Sequence, residues 1–334
     1  MGLVVVTGVA GFLGSHIADA YLAKGWQVRG IDNLLGGSLD NVPAGVEFHN
    51  LDLDDLEAIS PVFVGADLVI HSACTAYEGL SVFSPALVVR NTVQISVNAM
   101  TASIRANVPK FVYMSSMARY GNNHGDFFDE SLDPKPQDPY GIAKLAAEKL
   151  LTNLAKVHDV DLVVLVPHNI VGARQKFDDP FRNVASIMTN RMLQGKQPVV
   201  YGDGTQLRCF SFIQDVIAPV MTACESEQAV GQVINIGPDE SPISIIELAV
   251  RLAEIIGFDL DPIFMPGRPQ EVYVALCSSD KARQLLGYET TVTLDQGLRE
   301  LVDWIRPRVK DFEYHLPIEI DSDLTPKTWT QRLI

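Results

Sequence analysis

Cysteine is scarce. The four cysteines, Cys74, Cys209, Cys224 and Cys277, are scattered through 334 residues with no C-x-x-C pair, so neither a zinc site nor a disulfide framework is signalled and a reducing cytoplasm fits best. Positive charge is also in deficit. With 26 Lys and Arg against 41 Asp and Glu the formal net charge is -15, and such a field opposes nonspecific binding to nucleic acid or to an anionic membrane surface. Any anionic ligand must then be held by a local cluster. Long apolar runs are missing: the opening run 3–6 stops at Thr7 without a basic leader, too short for a signal peptide or a membrane span. Gly2 does not open a myristoylation motif, because position 6 is Val6. There is no internal repeat or low-complexity tract. The expectation is a cytoplasmic, soluble protein that binds no metal, nucleic acid or membrane.

What is present is an ordinary globular balance, 47% hydrophobic and 20% charged, in a chain long enough for two lobes. Short β-rich runs at Leu3–Thr7, Gln27–Asp32, Leu68–His71, 111–115 and 162–166 alternate with amphipathic stretches. That alternation predicts an α/β fold, a Rossmann-type doubly wound parallel sheet covered by helices. Residues 140–157 read as one helix, entered through Pro139 with Asp138 as its cap. After Pro167 the periodicity loosens and turn signals accumulate. The expected division is a dinucleotide-binding domain over 1–166 and a smaller C-terminal α/β substrate-binding lobe over 167–334, with some later segments returning to the Rossmann sheet. Within that lobe Ile245–Ile256 and Leu294–Ile305 have helical apolar spacing and read as packing faces.

The sequence Thr7-Gly8-Val9-Ala10-Gly11-Phe12-Leu13-Gly14 follows the first strand and opens a helix. Glycines there let the backbone turn tightly and approach a pyrophosphate, while the helix N-terminus offers unpaired N–H groups. A glycine pattern alone is weak, but the second strand ends in Asp32, 18 residues beyond Gly14. A carboxylate at that point accepts hydrogen bonds from ribose hydroxyls and repels a 2'-phosphate, which favours NAD over NADP. Asn33, Asp52, Leu53, His71, Ser72, Ala73 and Pro167 fall along the expected cofactor path. His71 taken alone reads better as a satisfied core histidine.

Tyr140 and Lys144 stand four apart on the predicted helix and so share a face. An ammonium beside a phenol favours phenolate and brings the tyrosine toward proton-transfer duty. With nine tyrosines in the chain, one such spacing is expected by chance. Ser116, at the end of the run 111–115, supplies the third element, able to hydrogen-bond a substrate oxygen. No G-x-S-x-G elbow surrounds it, which disfavours nucleophilic serine chemistry.

The glycine motif, Ser-Ser-Met-Ala-Arg-Tyr-Gly at 115–121 and Pro-Tyr-Gly-Ile-Ala-Lys at 139–144 together resemble the extended short-chain dehydrogenase/reductases, and within them the NAD-dependent epimerase/dehydratase family. The resemblance implies Tyr140 as acid/base, Lys144 as its electrostatic partner and nicotinamide-ribose ligand, and Ser116 as substrate-positioning donor. Three later segments, 167–175, 201–208 and 268–272, extend it toward sugar-nucleotide 4-epimerases of the UDP-galactose type, to about residue 305. On that resemblance Asn169, Arg208 and Arg268 hold a nucleotide diphosphate, Asn183 and Val184 fall near a uracil contact, and Ala275 leaves room at the sugar's C2 substituent. Guanidinium forks suit phosphate oxygens, all the more in an acidic chain.

Departures narrow the reaction. Where the family's 4,6-dehydratases carry an Asp-Glu pair after the Ser or Thr, this chain has Met117 and Ala118, which disfavours dehydration. Cys209 and His168 also depart from the pattern and leave the sugar open, and residues 309–334, with Trp329 and Leu333, lie beyond it. The resemblance implies a 4-epimerase of UDP-hexoses or UDP-N-acetylhexosamines, working as a homodimer. A nucleotide-sugar oxidoreductase or decarboxylase on the same scaffold is the alternative. A noncatalytic NAD sensor is the third reading, and it has no need of an intact Ser116, Tyr140 and Lys144.

Overall fold

Strands buried on both faces need apolar side chains at every position, and the short Val- and Ile-rich runs supply them. The computed structural model of the chain describes residues 2–121 and 127–334. It assembles β1 (Leu3–Thr7), β2 (Gln27–Asp32), β3 (Glu47–Asn50), β4 (Leu68–His71), β5 (Lys110–Met114) and β6 (Asp161–Pro167) into one sheet with a seventh strand, Val233–Ile236. The spatial order is Val233–Ile236, β6, β5, β4, β1, β2, β3, and every neighbouring pair is parallel. β1 lies between β2 and β4. The winding reverses there, so a crevice opens beyond the carboxyl ends of β1 and β4, where doubly wound sheets bind their ligands.

The strand runs read from the sequence lie within a residue of the observed ones. β3 is an edge strand of polar composition, half-buried or exposed throughout, and apolar patterning does not mark it. The helix Pro139–His158 begins where Asp138 accepts the Gly141 N–H at 2.9 Å and ends at Asp159 in the left-handed region. Ile245–Ile256 and Leu294–Ile305 form as read, each opened by a reciprocal cap, Ser244 with Glu247 and Thr293 with Gln296.

The chain beyond 167 serves two cores. Val233–Ile236 and the helices Ile213–Glu225 and Asp280–Leu286 return to the Rossmann sheet, packing Val216, Val220 and Leu286 with Val4, Ile17 and Tyr21. The helices Val184–Leu193, Ile245–Ile256 and Leu294–Ile305 enclose a separate core with Met188, Leu252 and Leu301 at its centre. A boundary at 166 therefore marks where the chain first leaves the sheet rather than a clean division. Residues 310–334 run back across both parts, and Trp329 packs with Phe83 of the first and Phe181 of the second. Among the described residues no helix is long and apolar enough to cross a membrane, and no group of three or more His, Cys, Asp or Glu is placed to hold a metal.

Candidate active site

One cavity of about 460 Å³ runs from the crevice at β1 and β2, past the start of the helix Pro139–His158, to the second core. Its first end is made by backbone. Gly8 has φ +74°, and a Cβ there would lie 2.8 Å from the Ala73 nitrogen. A Cβ on Gly14 would lie 2.2 Å from the Gly8 carbonyl oxygen, so the turn folds tightly against its own helix only with glycine. That helix, α1 (Phe12–Ala23), is entered through Gly11, which offers no side-chain cap. Its first-turn N–H groups are thus left for a ligand. Asp32 closes the end of β2: its carboxylate accepts the N–H of Ala10 at 3.0 Å and of Leu34 at 2.7 Å. Burial raises its pKa, and those backbone donors oppose the rise. Asn33 donates to Asp52 at 3.1 Å, while the carbonyls of Leu53 and Asp54 accept from Asn98. This pins the loop where an adenine would sit. The residues present fit a dinucleotide.

The middle of the cavity holds Ser116, Tyr140 and Lys144, the candidate acid/base set. Gly141 lets the helix approach the turn after β5 closely, since a Cβ there would lie 2.5 Å from the Ala118 carbonyl oxygen. Ser116 opens that turn, accepting the Ala118 N–H at 3.2 Å. Tyr140 and Lys144 are both buried. The Lys144 ammonium donates to the Met114 carbonyl at 2.7 Å and lies 5.0 Å from the centre of the Tyr113 ring. Burial pushes the Tyr140 phenol well above its usual value, Cys74 adds to that, and a hydrogen bond with Ser116 opposes it. Without a cation in front of it, Tyr140 is a phenol.

At the far end the walls are side chains. Arg208 donates to the carbonyls of Val272 at 2.7 Å and Leu207 at 2.8 Å, which orients its fork. Arg268 pairs with Glu271 at 2.8 Å and lies over the Tyr201 ring at 4.7 Å. Burial alone would lower Arg268, and Glu271 more than reverses it. Glu78 is reachable by water through the cavity yet ringed by protein; that desolvation and Asp138 raise its pKa, partly offset by Arg208 and Arg268. Asn169, held with φ +46°, donates to the Cys209 carbonyl at 3.0 Å.

Gly8, Gly11, Phe12, Leu13, Gly14, Asp32, Asn33, Asp52, Leu53, Ser72, Ala73, Ser116, Tyr140, Lys144, Pro167, Asn169, Asn183, Arg208 and Arg268 all line this cavity. Two expected residues do not. His71 is fully buried between the hydroxyls of Thr7 at 2.7 Å and Ser96 at 2.9 Å, with burial holding its pKa down at about 3. Sequence position carries it to the cofactor path, and the inward face of β4 turns its ring into the core. Ala275 pairs in register with Arg208, and its side chain is in the core with Cys277 rather than in the cavity. It cannot set the room at a sugar C2 position. Sequence reasoning missed Glu78, Arg182 and Ile334, which join the lining. No motif surrounds them, and only the folded chain brings them in.

Residues 4–237 match the NAD dependent epimerase/dehydratase family. The chain belongs to that family. Among solved structures it is similar to the UDP-glucose 4-epimerase of Thermotoga maritima with UDP-glucose, at 32% identity and TM-score 0.87, covering 92% of this chain and 100% of the other. It is also similar to the UDP-glucuronic acid 4-epimerase of Bacillus cereus in complex with UDP-glucuronic acid and NAD, at 30% identity and TM-score 0.85, covering 92% and 99%. The UDP-glucose 4-epimerase of Mycolicibacterium smegmatis is 29% identical over 316 residues, 90% of this chain and 98% of that one. As a member of this epimerase/dehydratase family the chain presents the glycine turn, Ser116, Tyr140 and Lys144 along one cavity.

Proposed function

We propose that the chain is an NAD-dependent nucleotide-sugar 4-epimerase, acting on a UDP-hexose or UDP-N-acetylhexosamine. The observation that carries this is the single cavity in which a dinucleotide cradle, an acid/base set and a pair of guanidinium groups succeed one another. Arg208 and Arg268 hold the diphosphate in bidentate fashion, which delivers the sugar to Ser116 and Tyr140. Ser116 donates to the C4 oxygen and Tyr140 takes its proton, then returns it after the sugar has turned over. Bound NAD supplies the reversible acceptor for the hydrogen on C4. Lys144 and the positive charge of the cofactor lower the phenol that burial has raised. Met117 and Ala118 offer no acid or base for eliminating water.

A second reading has its own observation. The Arg182 guanidinium lines the same cavity as Tyr140 and lies over the Tyr77 ring at 5.0 Å. Burial works to lower its pKa, and its neighbours, Tyr77 and Asp179 foremost, raise it above the usual value. A cation beside the reacting end suits a sugar acid, so UDP-glucuronate belongs in the test. That test is a panel of UDP-glucose, UDP-galactose, their N-acetylated forms and UDP-glucuronate, with product stereochemistry read by NMR. Inversion at C4 without net NADH is expected, and Tyr140→Phe should lower kcat by about 10²–10⁴-fold. NADH release or a mass change without inversion would overturn the epimerase in favour of an oxidoreductase or decarboxylase.

The reading extends to a cytoplasmic homodimer. The helices Pro85–Val89 and Pro139–His158 pack together, and they expose Val89, Ile142, Leu150 and Val157. Light scattering at twice the chain mass is the expected result.

A further inference from the structure

The function above makes no use of residues 310–334. Residues 309–334 lie beyond the segments that carry the sequence resemblance, and the match to the Thermotoga maritima structure takes in 92% of this chain. The segment nevertheless makes specific contacts with both parts of the chain. On the first side, the Glu319 carboxylate accepts the N–H groups of Ala86 and Leu87, both at 2.8 Å, and the Phe83 carbonyl accepts the N–H of Glu319 at 2.9 Å. On the second, the hydroxyls of Thr328 and Tyr201 share a hydrogen bond of 2.5 Å, and Arg191 donates to the Leu333 carbonyl at 3.3 Å. Between them Trp329 is 2% exposed, set edge-on to Phe181.

This segment reaches the substrate site. Ile334 is part of the cavity wall, tied there by hydrogen bonds of its backbone N–H and C=O with the Tyr314 hydroxyl. Thr328 holds Tyr201, the ring on which the Arg268 guanidinium rests at 4.7 Å. A Cβ built on Gly79 would meet Arg268 at 3.2 Å and the Trp329 indole at 3.4 Å, so those two side chains flank one point of the wall. A guanidinium already held over an aromatic face loses less freedom on taking up a phosphate.

We propose that the C-terminal segment is a positioning element for the nucleotide arm of the substrate: Thr328 and Trp329 set Tyr201 and Arg268, and Ile334 completes the wall beside them. The proposal rests on the nucleotide-sugar reading. A tail that only joined the two sides would affect stability and both ligands alike; a positioning element affects one ligand.

The test is calorimetric titration of UDP and, separately, of NAD into the intact chain, Thr328→Val, Thr328→Ser and a chain lacking Ile334, with melting temperatures and KM alongside. One lost hydrogen bond corresponds to roughly 3- to 10-fold in affinity. The expected result is that loss for UDP, with a matching rise in KM, in Thr328→Val and in the shortened chain. Affinity for NAD and kcat stay unchanged, melting temperature falls by no more than about 2–4 °C, and Thr328→Ser restores UDP binding. Unchanged UDP affinity in both variants overturns the proposal, as does an equal loss of UDP and NAD affinity. If the intact chain prefers GDP, CDP or dTDP, the uridine part of the function falls and the same comparison is read with that nucleotide. Binding of no nucleoside diphosphate by the intact chain overturns both readings.

Discussion

The two ends of the cavity are built from different material. At the cofactor end the wall is made of peptide N–H groups and strand ends, brought together within the first 32 residues by Gly8, Gly11, Gly14 and Asp32. At the substrate end it is made of side chains from segments far apart in the chain, Glu78, Asn169, Arg182, Arg208, Arg268 and Ile334. A backbone site tolerates few changes of residue, because a Cβ intrudes on main chain. A side-chain site can be retuned one residue at a time. The scaffold thus keeps one cofactor while the substrate end varies.

This contrast can be broken most forcefully at Gly14. Gly14→Ala places a methyl 2.2 Å from the Gly8 carbonyl oxygen; overpacking of that kind costs about 1–3 kcal/mol, roughly 5- to 150-fold if it falls on NAD affinity. Fluorescence titration should show that loss while UDP affinity holds to within about twofold, the sites being independent. Equal losses of both ligands would mean the ends are coupled. Next in size is Arg208→Lys, which keeps the charge and loses the fork. The KM for the nucleotide sugar should rise about tenfold with little change in kcat or in NAD binding. Asp32→Asn sharpens the comparison from the other side: it removes the carboxylate charge and keeps one acceptor oxygen. NADP binding should improve by roughly fivefold, about 1 kcal/mol, measured as the NADP to NAD ratio of dissociation constants.

The smallest effect separates His71 from the site altogether. Its pKa is lowered from 6.5 to about 3 by burial, with Lys144 contributing. Neutral His71 therefore contributes stability that is fully present above pH 6.5 and is lost as pH falls toward 3. Melting temperature should fall across that window in the native chain and less steeply in His71→Asn. Each kcal/mol corresponds to roughly 2–4 °C or less in a protein of this size. Equal slopes would show that other groups carry the acid sensitivity.

Much of the cofactor end was legible because its signals are local. A glycine turn, a strand ending in Asp32 and a helix carrying Tyr140 and Lys144 each lie within a few residues, and the spacing alone places their faces. The substrate end was legible only where motif resemblance reached, at Asn169, Arg208 and Arg268. His71 and Ala275 show the limit of motif reading: His71 adjoins Ser72 and Ala275 was placed by resemblance, yet both side chains lie in the core. Glu78, Arg182 and Ile334 had no local signal.

By itself the sequence determined the parallel sheet, the NAD-type crevice, the choice of Ser116, Tyr140 and Lys144 as candidates and the family, because short-range periodicity, tight-turn chemistry and motifs are written in adjacent residues. Only the tertiary structure decided which residues after 167 complete the first sheet, that Arg182 lines the same cavity as Tyr140, and that Ile334 joins its wall. Those are contacts between segments far apart in the chain, and they depend on how the two cores pack, which no local pattern encodes.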